Sequence, residues 1–358
     1  MPTNAKTVFI VGAGASCEFG LPAGEELKTK ISKLCGEYPK ESLNTTDETL
    51  RKAIEALAKD SSETASRNSK SLLFEKLPII RDNMPLAPSI DNFLDTHRED
   101  RELVNVGKLA IAVAIRKAEN ASSLFVDKSN MYNRFNPSKM DRNWITELFK
   151  VLVSQRNFSD FLEALGSTHF VSFNYDRCIH QFIFNAARQY FNLSDRDSKS
   201  VLDQLQVHYP YGSVGSLNLD QFGIDNFGED IDAKAAAGAV TSLRTFTEGA
   251  SEGFSAEFRE LFSDHTLLVF LGFGFLPLNM KMLFRGGRLP VKSVVATTKG
   301  QSEHSAKALR EEFKRIFGKS YSNGHWEKLG SLNIHTVNDT CSDLFWQFNR
   351  LIYQNLVP

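Results

Sequence analysis

Four short stretches of this 358-residue chain carry residue types and spacings that chemistry uses. Gly12-Ala13-Gly14-Ala15-Ser16 follows the apolar run Val8 to Val11. Two glycines separated by one alanine let the backbone turn sharply and approach a ligand closely, and amides at the start of the next segment can point at a diphosphate. Asn174-Tyr175-Asp176, His208 and Gly272-Phe273-Gly274 each follow a later apolar run. An amide, a carboxylate and an imidazole beside a diphosphate grip suit cleavage of a glycosidic bond, and histidine titrates near neutrality, as a general base should. Each stretch also has a plain structural use. Asn174, Asp176 and Asp91 suit helix caps, His208 suits a satisfied structural histidine, and the later glycines suit a turn. Convergence on one sheet edge favours the chemical reading, because ligands of open parallel sheets bind beyond the carboxyl ends of the strands. Hydride-transfer chemistry is disfavoured: the third glycine of the dinucleotide fingerprint is replaced by Cys17.

Elements that could position these residues are legible along the chain. Strands are expected at Val8–Val11, His169–Phe173, Leu205–His208, Thr266–Leu271, Val291–Ala296 and Leu332–Val337, separated mostly by helices. That alternation predicts an α/β fold: a Rossmann-like parallel sheet of about six strands with helices on both faces. Leu27, Ile31 and Leu34 recur at helical spacing after Gly20-Leu21-Pro22. Residues 36–70 are polar and read as one exposed helix, Leu50 to Ala58, between loops. Leu103–Ala118 and Trp144–Val153 are strong helical stretches, so 36–165 reads as a large, mainly helical insertion in a catalytic domain of 1–35 and 166–358. Residues 213–240, rich in Gly, Asp and Ala, read as a loop and a candidate lid. Asp343–Leu356 should close the domain as a helix.

Bulk properties exclude several classes. A formal net charge of −1 gives no general attraction to nucleic acid or anionic membrane. No apolar run approaches the ~20 residues that span a bilayer, and the polar N-terminus has no signal-peptide core, so a cytoplasmic protein is expected. The four cysteines, Cys17, Cys35, Cys178 and Cys341, form no CxxC pair, so neither a disulfide framework nor a metal is expected. The 28 phenylalanines against 8 tyrosines are consistent with apolar contact between subunits, and a homo-oligomer is expected.

Gly12-Ala13-Gly14-Ala15-Ser16 with Gly20-Leu21-Pro22 resembles the first sirtuin motif, Gly-Ala-Gly-x-Ser followed by Gly-Ile-Pro. Asn174-x-Asp176 is similar to the sirtuin Gln-Asn-x-Asp element, His208 stands where the catalytic histidine follows it, and Gly272-Phe273-Gly274 corresponds to the later glycine-rich loop near the adenine ribose. The wording Ser172-Phe173-Asn174-Tyr175-Asp176 and Ser89-Ile90-Asp91-Asn92-Phe93-Leu94 is closest to the sirtuin-like NAD hydrolases of bacterial antiphage defence. The matching motifs span residues 8 to 275 but occupy a small part of that interval.

Departures matter as much. Deacetylases carry a four-cysteine zinc module between the histidine and the later glycine loop, and this interval contains no cysteine here. Tyr209-Pro210-Tyr211-Gly212 follows the histidine, and Ser172-Phe173 replaces the Thr-Gln before Asn174. The resemblance therefore implies NAD+ as substrate and water as acceptor, without metal. It implies that Asn174 holds the nicotinamide ribose or the attacking water, Asp176 the carboxamide, and that His208 is the general base. The amides of Gly12, Ala13 and Gly14 with the Ser16 hydroxyl would hold the diphosphate, and Gly272, Phe273 and Gly274 the adenosine half. A gate in 36–70 or 213–240, and a HerA-type ATPase or separate sensor as partner, are further implications. The alternatives are a non-catalytic module that binds NAD or ADP-ribose and, more remotely, a zinc-less deacylase.

Overall fold

The β-branched and aromatic residues of Thr7–Val11, buried at every position, suit a strand covered on both faces. In the computed structural model this strand, β1, is central in a six-stranded parallel sheet. The structure describes residues 6–36, 46–58, 63–127, 129–130, 132–140, 142–220, 223–249, 257–263, 265–285, 289–317, 319–322, 325–328 and 331–356. The other sheet strands are β2 (Thr168–Ser172), β3 (Gln206–His208), β4 (Leu267–Leu271), β5 (Ser293–Thr297) and β6 (Asn333–Val337). Their order is β3-β2-β1-β4-β5-β6, with every pair parallel. All six expected strands are present, and the α/β reading with a helical insertion holds. The order reverses between β1 and β4, the place where doubly wound sheets open a crevice for a ligand. Val11 pairs with both Ser172 and Leu271, so Gly12, Phe173 and Gly272 leave the sheet at one level.

Strand alternation divides the core in two. Val8, Ile10, Val171, Leu268 and Phe270 face one layer, which includes α2 (Gly24–Leu34), α3 (Glu48–Ala58) and α7 (Arg101–Ala121). Phe9, Val11, Phe170, Val269 and Leu271 face the other, with α8 (Trp144–Val153), α9 (Phe158–Gly166), α10 (Cys178–Tyr190) and the C-terminal helix Cys341–Leu356. The chain between β1 and β2 thus covers both faces of the sheet. Glu18 ties it to the start of the fold: its carboxylate accepts from the Trp144 amide at 2.7 Å and the Ser342 amide at 2.9 Å, so one residue caps two helices.

Two expectations need correction. The segment 36–70 is not one exposed helix between loops. Leu50, Ala53, Ile54 and Ala58 of α3 are buried, and a further helix, Glu63–Phe74, follows; residues 37–45 and 59–62 lie outside the described residues. Nor is 213–240 a free loop. Its second half is a helix, α12 (Ala233–Ser242), whose first turn is capped by Asp232 and whose Ala236 and Ala239 are buried against the insertion. Alanine is the strongest helix former, and the cap was sufficient to start it. The first half is clamped by Arg177, which donates to the carbonyls of Ser216, Asp225 and Asn226 at 2.8–3.1 Å. Two short hairpins, Leu219–Asp220 with Gly223–Ile224 and Lys319–Ser322 with His325–Lys328, were not anticipated. Among the described residues no helix is long and apolar enough to cross a membrane.

Arg177 is also the main tie between insertion and sheet. Its guanidinium meets the Glu119 carboxylate of α7 at 2.6 Å, and both side chains are 0 % exposed. Glu119 accepts in addition from the Arg177 and Gly228 amides. Removing one partner of such a pair leaves a buried charge unmatched. Glu119→Ala is therefore expected to lower the urea-unfolding free energy by about 3–5 kcal/mol. Lys117→Ala, which breaks the half-exposed pair with Asp47, should cost less than about 1 kcal/mol. Equal losses for the two variants would contradict this ranking.

Candidate active site

The turn after β1 is a single helical turn, Ala13–Ser16, that meets the turn after β4 at backbone distance. Gly12 donates its amide to Leu271 O at 2.9 Å and Gly14 to Gly272 O at 3.0 Å. A Cβ on Gly272 would lie 2.1 Å from Ala15 N, and one on Gly14 would lie 2.8 Å from Gly272 Cα. Gly272 also has φ +56°, a conformation that side chains disfavour. The two glycine loops are therefore interlocked, and glycine is required on both sides of the contact. Thr297 of β5 completes it by accepting the Gly272 amide on Oγ1 at 2.7 Å.

This interlock corrects the expected diphosphate grip. The Gly12 and Gly14 amides are spent on β4, and Ala15 N bonds Gly12 O at 3.0 Å. Among the described residues Ala13 alone of the three expected donors keeps an amide without a backbone partner. The Ser16 hydroxyl is engaged too: it donates to Asp176 Oδ2 at 2.7 Å. Phe273 is not placed to face a ligand. It is buried in an aromatic cluster, with ring centroids 5.1 Å from Phe173 and 5.2 Å from Phe275. Gly274 is exposed at the end of the same turn.

Asn174 and Asp176 come together with Ser16 as expected. Asn174 Nδ2 donates to Gly12 O at 3.0 Å and to Ser16 Oγ at 2.8 Å. A carbonyl can only accept, and the Ser16 proton is committed to Asp176, so the side-chain amide has one orientation. Its oxygen, Oδ1, then faces away, buried and without a partner in a residue 6 % exposed. Buried acceptors are almost always satisfied, and an unsatisfied one calls for a water or a ligand hydroxyl. Asp176 performs the capping role as well, accepting the first amide of α10 on Oδ1 at 3.1 Å. Burial pushes its carboxyl above the ordinary range, while the Ser16 hydroxyl and the Cys178 amide pull it back.

His208 is not joined to this group. Val207 packs with the α10 layer, so alternation sends His208 to the opposite face of β3. There its ring stacks 6.3 Å from that of His169. Among the described residues it shares no hydrogen bond with Asn174 or Asp176. Burial lowers its pKa, with Glu257 opposing, which favours the neutral imidazole. The next residue, Tyr209, bonds into α10 instead: its hydroxyl lies 3.1 Å from His180 Nδ1.

Asp91 is more than a helix cap. The cap of its helix, Ile90–Thr96, is Ser89, and the Asp91 carboxylate accepts the hydroxyl of Tyr175, the residue between Asn174 and Asp176. Tyr211 stacks beside Tyr175 and bonds Asn279 at 2.7 Å. Sequence reasoning had no signal for these pairings, because the partners are far apart in the chain. Among the described residues no group of three His, Cys, Asp or Glu side chains is placed to hold a metal ion. No protein-family model matches the chain, and no curated protein matches it either.

Burial pushes the Asp91 carboxyl up to about 6, against the pull of the Tyr175 hydroxyl. A carboxyl whose folded pKa lies above its unfolded value favours the fold fully below the unfolded pKa, and that contribution is lost as pH rises through the folded pKa. Asp91→Asn should therefore gain stability relative to wild type between pH 4 and pH 7, by on the order of 2 kcal/mol. Urea unfolding at both pH values measures this, and a constant difference between the two proteins would contradict it.

Proposed function

We propose that this protein is an NAD+ hydrolase that cleaves the bond between nicotinamide and ribose to give nicotinamide and ADP-ribose. The observation that carries the reading is the unsatisfied Oδ1 of Asn174, fixed in orientation beside the glycine loops at the point where the strand order reverses. Nicotinamide leaves as a neutral molecule: the C1′–N bond breaks and its electron pair goes with the leaving group. Water then forms the new C1′–O bond and gives up a proton. The protein's task is to hold the ribose, balance developing positive charge and place the water. Asn174 Oδ1 is suited to accept from a ribose hydroxyl or from that water. The Ala13 amide remains for the diphosphate. Asp176 acts as a positioning residue in this reading, since both its oxygens hold Ser16 and the start of α10. His208, whose neutral form is favoured by burial, would serve as the base.

Sirtuin-like character, a role as an antiphage effector, assembly into a homo-oligomer and a HerA-type ATPase or sensor as partner belong to the same proposal and rest on the resemblance. A second reading, a non-catalytic module that binds NAD or ADP-ribose, is favoured by one observation: among the described residues the side-chain hydrogen bonds of Asn174 and Asp176 do not include His208.

Nicotinamide release from NAD+ tests the two. Wild type should hydrolyse NAD+, Asn174→Ala should fall by about 100-fold or more, and His208→Ala should fall by a similar factor. Full rates in both variants would contradict the assigned site. No release by the wild type, together with a thermal shift on ADP-ribose that Asn174→Ala loses, would favour the binding module.

A further inference from the structure

A half-open cavity of about 460 Å3 lies between α7, Thr49 at the start of α3, and residues 228–231. That volume falls in the range of roughly 300–1,000 Å3 typical of small-molecule sites. Its lining includes Arg116, Lys117 and Asn120 of α7, the ring of Phe125, and the carboxylates of Glu229 and Asp230. None of these belongs to the Asn174 group.

Arg116 is the unusual member. Its side chain belongs to a residue 4 % exposed, yet among the described residues it forms no ion pair. Nη2 donates to the carbonyl of Asn226 at 2.8 Å, and Nε is buried without a partner. The nearest carboxylate on α7, Glu119, is taken up by Arg177 and by the Gly228 amide. Arg177 adds a second positive charge close by; burial and that charge press the Arg116 pKa down, while the carboxylates of Glu119, Glu229 and Asp232 oppose them, though among the described residues none forms an ion pair with it. Buried guanidinium groups are ordinarily matched by an anion with fork geometry, a carboxylate or a phosphate. Here the fold supplies a cavity in its place.

We propose that this cavity binds a small phosphate ester, a nucleotide or a sugar phosphate, with its phosphate on Arg116 and its hydroxyl or amino groups on Asn120 and Asp230. Lys117 adds positive charge near the phosphate, although it is paired with Asp47. The volume exceeds what a bare anion fills, and Phe125 offers a ring face for the rest of the ligand. Arg116 also stands one turn before Glu119, and Glu119 holds Arg177, the residue next to Asp176. Occupancy would thereby bear on the loop that carries Asn174. The binding claim does not rest on NAD+ hydrolysis.

Isothermal titration of the full chain with inorganic phosphate, ribose 5-phosphate and AMP tests it. An ester should bind at least tenfold tighter than inorganic phosphate. AMP much tighter than ribose 5-phosphate would assign a nucleotide, and equal affinities a sugar phosphate. Arg116→Gln and the cavity-filling Thr49→Trp should each weaken binding at least tenfold, while Asn174→Ala should leave it unchanged. If Arg116→Gln does not fold, Thr49→Trp decides. Failure of both esters to bind wild type, binding unaffected by Thr49→Trp, or binding lost in Asn174→Ala would each overturn the proposal.

Discussion

The closeness of two backbones at the reversal of the strand order governs the rest of this structure. Gly14 and Gly272 meet with no room for a Cβ on either side. That contact sets the height of the turn after β1 and presents Gly12 O to the side-chain amide of Asn174. Ser16, one residue beyond Ala15, is then held between Asn174 and Asp176. Every acceptor and donor in this chain of bonds is assigned, and the result is one buried oxygen left over. An arrangement that satisfied Asn174 Oδ1 internally would need the amide reversed, and Gly12 O forbids that by facing it as an acceptor.

A second constraint acts from the helical insertion. The pairing of Glu119 with Arg177 joins α7 to the loop that follows Asp176 and, through three carbonyls, to residues 216–226. Buried ion pairs add little net stability over apolar replacements, but they demand one arrangement of the groups around them. The segment that the sequence marks as a candidate lid is thereby held in place. The Asn174 loop consequently has fixed neighbours on both sides: glycine turns on one, and the guanidinium of Arg177 on the other.

The strand set was legible in the sequence because the central strands Thr7–Val11 and Leu267–Leu271 are short apolar runs ended by glycine, as buried parallel strands are, and the others are short β-branched or aromatic stretches between helical segments. The order of the strands followed only from the structure. The meeting of Ser16, Asn174 and Asp176 was also legible, since all three follow strands that the sheet brings side by side. What the hydrogen bonds of the loop do was not. The acceptor of the Gly14 amide is Gly272, on a strand far along the chain, and nothing local marks an amide as already used. The strand that carries His208 was legible, but the face its ring takes was not. Its strand spans Gln206–His208 only, and so short a strand at a sheet edge carries little alternation from which to read a face. The alanine-rich stretch beyond Asp232 reads as loop because Gly and Asp dominate the residues before it, whereas local helix propensity and a cap prevail in the fold.

The most direct test of the central claim is a crystal structure with ADP-ribose bound. The account predicts a ribose hydroxyl, or a water bridging to it, within hydrogen-bond distance of Asn174 Oδ1, with the diphosphate beside the Ala13 amide and the glycine interlock intact. ADP-ribose bound away from the β1–β4 crevice, or an Asn174 oxygen satisfied by the protein itself in that complex, would contradict it.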